Sequence, residues 1–228
     1  MIVAERKPLE AIVEMLKNDR KVLAVGCGTC VAVCFAGGKK EVEMLASSLR
    51  MTTRLKGEKL EVDETSVQRQ CEVEYLEALD ERVKDYDAIV SLGCGVGVQF
   101  LAERFPDKRI IPALDTKFMG GPTEAGVWEE RCQGCGSCML GETGGVCPIS
   151  RCAKQLMNGP CGGSKHGHCE IDENIPCAWQ LIWERMDKLG RIDELMEISS
   201  PKDWSTGRHG GPRRVVRDDL RLPEDEDI

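Results

Sequence analysis

Thirteen cysteines carry whatever chemistry this chain performs, and they fall into two groups. Cys27, Cys30, Cys34, Cys71 and Cys94 lie in the first half, and eight more lie between Cys132 and Cys177. Cysteines at such density pair as disulfides, bind metal or carry redox chemistry. The count is odd, and the N-terminal run MIVAERKPLE, broken by Glu5, Arg6 and Lys7, is not a secretory leader. The longest apolar stretch, around Cys30 to Ala36, is far short of a membrane span. A cytoplasmic location is therefore expected, where thiols stay reduced and structural disulfides are rare. Free thiols packed as small hydrophobes are the bland alternative. Thirteen of them, mostly flanked by Gly and Pro, argue instead for metal ligation.

The second-half signal is the denser one. Cys132-Gln-Gly-Cys135-Gly-Ser-Cys138 is a C-x2-C-x2-C run, and Cys147-Pro148 follows after a glycine-rich spacer. This is like the bacterial ferredoxin pattern, in which the fourth cysteine precedes a proline. Short hops let three thiolates reach three irons of one cubane, and glycines let the backbone aim N–H groups at sulfur. The spacer before Cys147 is eight residues where the ferredoxin pattern has three, which leaves the fourth ligand open. Cys152, Cys161, Cys169 and Cys177 complete a pool of eight, the number that two four-iron clusters need. Zinc is the rival metal, since C-x2-C pairs also build tetrahedral sites. His166 and His168, beside Cys169, would suit a mixed zinc site or a solvated loop, and neither is taken as a ligand.

The first half carries two near-repeats, Val25-Gly-Cys27-Gly28 and Leu92-Gly-Cys94-Gly95. Each follows a strand pattern and opens a helix pattern. In parallel sheets, sites form outside the carboxyl ends of the strands, so two such turns would aim two thiols into one crevice. Cys30 lies at C-x2-C spacing from Cys27, and Cys71 opens a helix pattern, where N–H groups favour a thiolate. Cys27, Cys30, Cys71 and Cys94 are thus expected to hold a third cluster. Cys34 is either a buried thiol or a substitute for one of the four. A nucleotide site is the alternative, because Gly26-x-Gly28 resembles the start of a dinucleotide fingerprint. The third glycine of that fingerprint is Val31 here, and Gly93-Cys-Gly95-Val-Gly97 also misses the spacing.

The elements that must position these thiols read as follows. Residues 8–18 are expected to form a helix, 21–25 a strand, 41–49 a helix, 50–55 a second strand and 72–83 a helix. Residues 87–92 read as a strand, followed by a helix to about 105 and a last short strand over 108–113. Strands alternating with helices imply a small parallel sheet, Rossmann-like or flavodoxin-like, over residues 1–118. Gly120-Gly-Pro122 and Gly126 mark a loop. Residues 119–228 are expected to form a cysteine-rich, metal-stabilised, ferredoxin-like domain. Its Gly- and Cys-rich stretch lacks periodic apolar residues, so metal must supply the missing stability. A helix follows over 177–196, with Trp179, Ile182, Trp183 and Met186 on one side, and an acidic end over 223–228 is expected to fray.

The whole chain sets further bounds. At 228 residues it can bury a real core and does not need cysteines as staples. A net charge of −8 argues against nucleic acid or an anionic membrane as partner. No acid–base dyad, nucleophile elbow or P-loop is visible, and no motif for folate or flavin.

Residues 131–186 resemble the C-terminal domain of methylenetetrahydrofolate reductases. The likeness rests on the triplet Cys132–Cys138, on Gly-Val-Cys147-Pro148 and on Asn158-Gly-Pro-Cys161-Gly-Gly163. The run Gly26-Cys-Gly-Thr-Cys-Val-Ala-Val-Cys34, leading to Gly37-Gly-Lys-Lys-Glu41, is similar to the small MetV-type subunits of two-subunit MetVF reductases of acetogenic bacteria. The resemblance implies a non-catalytic electron-transfer subunit with two to three [4Fe-4S] clusters, zinc in place of one being the alternative. It implies a flavin in a MetF-type (β/α)8 partner, not in this chain. That partner would reduce 5,10-methylenetetrahydrofolate to 5-methyltetrahydrofolate in the Wood–Ljungdahl pathway. Ferredoxin or a further redox subunit would be the donor.

Overall fold

The computed structural model describes residues 1–57, 59–208, 211–217, 219 and 221. The acidic end expected to fray, residues 223–228, lies outside the described residues. The chain divides into two compact units, Met1–Arg131 and Cys132–Ile228.

The first unit is built on the expected parallel sheet. Its strands are β2 (Lys21–Cys27), β3 (Glu61–Val67), β4 (Ala88–Leu92) and β5 (Arg109–Pro112), in the spatial order β3-β2-β4-β5. Counted within this sheet the order is 2-1-3-4, the start of the flavodoxin-like arrangement. A second, antiparallel sheet of three strands joins β1 (Ile2–Arg6), β6 (Leu114–Glu124) and β7 (Val127–Cys132) in the order β1-β6-β7.

Burial on both faces explains the apolar strands. Val22, Ala24, Ala88, Val90 and Leu92 pack on one face with Ile12 of α1 (Leu9–Met15), Val31 of α2 (Cys30–Val33) and Val42, Ala46 and Leu49 of α3 (Lys39–Leu55). Leu23, Val25 and Ile89 point the other way. They meet Leu76 of α4 (Val73–Leu76) and Leu101 of α5 (Gly95–Arg104), with Leu79 and Val83 between those helices.

Several elements differ from the sequence expectation. Residues 50–55 are not a strand but the last turns of α3. There Thr53 donates its hydroxyl to Leu49 O at 2.8 Å, and Arg50 reaches across to Val62 O at 2.7 Å and to Glu64. The second strand is β3 instead, whose sequence Glu-Val-Asp-Glu-Thr-Ser-Val is polar because it is a sheet edge. The helix expected over 72–83 breaks into α4 and the 3-10 turns Glu77–Leu79 and Arg82–Asp85, which still bury Leu76, Leu79 and Val83.

The loop expected at Gly120–Gly126 is a β6–β7 hairpin. Gly126 turns it at φ +83°, and Gly120 lies so close under the Glu129 carbonyl that no side chain fits. Pro122 is tolerated because β1 pairs with β6 only as far as Met119, with Met1 bonding Gly120. The expected domain boundary after residue 118 moves to 131 for the same reason: the hairpin is paired to β1.

In the second unit, the regular elements among the described residues are α6 (Pro148–Arg151), α7 (Ala178–Lys188) and a 3-10 turn at Ile192–Met196. Trp179, Ile182 and Met186 form its buried cluster, against which Val146, Cys152, Leu156, Cys177 and Leu195 pack. Trp183, expected on the same side, is 50% exposed, so that α7 buries the 179/182/186 stripe alone. Among the described residues no helix is long and apolar enough to cross a membrane.

Candidate metal centres

Three of the four cysteines expected to form the front site converge at the carboxyl end of the parallel sheet. Cys27 is the last residue of β2, Cys94 caps the start of α5 just beyond β4, and Cys71 lies in the turn beyond β3. These are three adjacent strands of one sheet. Burial pushes the Cys71 thiol up, and its neighbours Cys94 and Cys27 push it the same way. The three sulfurs are therefore close enough for the charges of Cys94 and Cys27 to act on Cys71.

The backbone holds these turns firmly. Cys27 N donates to Gly37 O at 2.8 Å, Gly28 N to Val67 O at 3.0 Å, and Gly95 N to Thr116 Oγ1 at 2.8 Å. Cys30 opens α2 one turn beyond Cys27 and is half-buried. Cys34 is different. It is buried in the apolar cluster, with its Sγ 3.6 Å from both Ala4 O and Val31 O, and so is a core thiol.

Two residues that the sequence reading missed tie the front turns together. Gln70, beside Cys71, is fully buried; its Nε2 donates to Val25 O at 2.8 Å, and its Oε1 accepts from Ser91 Oγ at 2.6 Å. Ser91 Oγ in turn accepts from Gly93 N at 3.1 Å. A lone Gln gives no signal in a single sequence. The glycines around Cys94 were the trace of it, because a side chain at Gly93 would collide with the Gln70 amide, and a Cβ at Gly97 would sit 2.8 Å from Gln70 Cβ.

In the second unit, Cys152, Cys161, Cys169 and Cys177 line one small pocket together with Trp179. Local backbone pairing explains the gathering. Residues 165–177 fold back on themselves: His168 bridges Pro176, Cys169 N donates to Ile175 O at 2.8 Å, and Cys177 N donates to Gly167 O at 2.7 Å. His168 is thus engaged through its backbone in this turn. Cys152 ends α6, and Trp179 Nε1 donates to Leu156 O at 2.8 Å, anchoring the chain between Cys152 and Cys161.

The triplet Cys132, Cys135, Cys138 lies on an irregular loop. Gly134 N donates to Cys132 Sγ at 3.3 Å, and Gly163 N makes the same two-residue bond to Cys161 Sγ at 3.4 Å. Such N–H groups stabilise a thiolate. Cys147 caps α6, with Pro148 as its first helical residue. The C-terminal segment straps the triplet loop. Lys202 Nζ bonds Ser137 O, Arg213 bonds both Gly134 O and Thr206 O, and Gly136 (φ +90°) leaves no room for a side chain beside Thr206. Replacing Lys202 and Arg213 together with alanine is expected to raise the alkylation rate of Cys135 and Cys138 about fivefold, read by mass spectrometry. An unchanged rate would show that the strap does not hold the loop.

Among the described residues, no group of three or more His, Cys, Asp or Glu side chains is arranged to hold a single metal ion.

The fold thus gathers thiols on an α/β unit and again on a loop-rich unit. Residues 111–205 match the family described as Methylene-tetrahydrofolate reductase C terminal. This segment, which includes all eight cysteines from Cys132 to Cys177, is thus similar to the C-terminal part of methylenetetrahydrofolate reductases. The match begins beyond Cys94, so the front site lies outside it. Searches of curated proteins and of solved structures return no match.

Proposed function

We propose that this chain is the iron–sulfur electron-transfer subunit of a MetVF-type methylenetetrahydrofolate reductase. It would pass electrons through [4Fe-4S] clusters to the flavin of a MetF-type partner that reduces 5,10-methylenetetrahydrofolate to 5-methyltetrahydrofolate. The observation that carries this reading is the gathering of cysteines far apart in sequence: Cys27, Cys71 and Cys94 at one end of the sheet, and Cys152, Cys161, Cys169 and Cys177 around one pocket. The family match supports the reductase context.

Cys27, Cys71 and Cys94, with Cys30 one turn away, would hold one cluster. Cys152, Cys161, Cys169 and Cys177 would hold a second, which leaves Cys132, Cys135, Cys138 and Cys147 for the third. When bound, such clusters supply one-electron transfer without a substrate site of their own. The chain's own part is to hold each thiol in place. Gly134 and Gly163 donate backbone N–H groups to sulfur, and Trp179 lines the second-unit pocket beside the four cysteines. The donor would be a ferredoxin or a further redox subunit.

A second reading is favoured at one place. Four thiols around so small a pocket also suit a structural tetrathiolate zinc. Quantitative iron, sulfide and zinc analysis of anaerobically purified protein, with electron paramagnetic resonance, separates the two. Two to three four-iron equivalents per chain are expected. One zinc with two clusters would assign zinc to the pocket, and less than one four-iron equivalent would end the electron-transfer reading.

A further inference from the structure

We infer that Gln70 is the positioning residue that holds the three cysteine-bearing turns of the front site in one arrangement, an inference that rests on reading Cys27, Cys71 and Cys94 as metal ligands. The side chain is fully buried yet polar, and each of its bonds ends on a strand that carries or leads into one of the other cysteines. Nε2 donates to Val25 O, two residues before Cys27 on β2. Oε1 accepts from Ser91 Oγ at the end of β4, and that hydroxyl accepts the N–H of Gly93, the residue before Cys94. Gln70 itself precedes Cys71. One amide thus spans the ends of all three strands.

The surrounding sequence is cut to fit this amide. Gly93 has no room for a side chain beside Gln70 Oε1, and Gly97, one turn into α5, packs on Gln70 Cβ. Gly93 and Gly97 of the Gly-Cys-Gly-Val-Gly run are therefore explained by packing on a side chain, and a phosphate cradle is not needed to account for those two. Both amide groups of a buried Gln must be satisfied, so the glutamine admits only the strand spacing that satisfies both. That requirement turns a hydrogen-bond pair into a constraint on the strand ends that lead to the three cysteines.

The test uses the full chain purified anaerobically. The Cys94→Ala variant identifies the front-site signal as the part of the iron and paramagnetic signal that it removes. Gln70→Leu keeps the volume and loses both of the amide's bonds; Ser91→Ala removes one of these, together with the Gly93 N–H bond to the same hydroxyl, with little change of shape. Release of front-site iron to a chelator is measured, together with alkylation of Cys71 in the metal-free protein. Gln70→Leu is expected to speed both by about tenfold, and Ser91→Ala to speed them in the same direction by less. If Gln70→Leu fails to fold, Ser91→Ala alone decides. A fall in melting temperature with unchanged release and unchanged alkylation would overturn the inference, since that is what a merely structural glutamine gives. If Cys94→Ala removes no signal, the metal reading of the front site fails, and the alkylation comparison still decides the role of Gln70.

Discussion

Removing metal from the purified chain is expected to unfold Cys132–Ile228 and leave Met1–Arg131 folded. The first unit buries apolar residues on both faces of its parallel sheet, from Ile12, Val22 and Leu49 on one side to Leu23, Ile89 and Leu101 on the other. Each fully buried aliphatic side chain contributes about 1.5–3 kcal/mol, and there are enough of them to hold that unit unaided. The second unit has a buried cluster of Trp179, Ile182 and Met186 under a long irregular chain. Ordering that chain opposes folding by roughly 1–2 kcal/mol per residue, which so small a cluster cannot offset. Metal–thiolate binding in small structural sites supplies on the order of 10 kcal/mol, enough to decide the outcome. Limited proteolysis after anaerobic chelation should therefore cut beyond residue 132 within minutes and spare the sheet. A second unit that resists protease after all metal has left would sink the proposal that metal stabilises it.

Single cysteine substitutions should separate in the same way. Cys94→Ala is expected to lose about one third of the bound iron, as one of three clusters, while the circular dichroism and melting of the first unit stay near wild type. Its backbone carbonyl still accepts from Val98 N, and Gly95 N still bonds Thr116, so α5 keeps its start. Cys177→Ala is expected to cost a similar share of metal and the fold of the second unit as well. Cys177 lines the pocket with three other cysteines, packs against the Trp179 cluster, and opens α7. Its sulfur thus joins the helix to the loop. Equal melting curves for the two variants would contradict this division.

Much of the scaffold was legible because periodicity reports burial. The β2 and β4 patterns and the stripe on α3 mark residues with an apolar surface to hide, and all three elements formed. The edge strand β3 was not legible, since an edge can be as polar as Glu61, Asp63 and Glu64, and its place was given to residues 50–55. The β6–β7 hairpin was hidden by Gly120, Gly121 and Pro122, which signal a loop unless the pairing partner is known, and that partner, β1, lies more than 100 residues earlier. Among the thiols, spacing foretold the front turns. It did not group Cys152 with Cys161, Cys169 and Cys177, because that grouping arises from the fold-back of residues 165–177. Nor did it find Gln70 or the strap of Lys202 and Arg213, whose meaning is set by distant partners.

The division at Arg131 has a consequence for how the molecule matures. On the proposed reading, Met1–Arg131 emerges from synthesis as a finished receptacle with its sulfurs already in place, whereas Cys132–Ile228 takes shape around its cargo. Scarce iron would then yield a half-ripened protein, its front end ready and its rear end still a thread open to degradation.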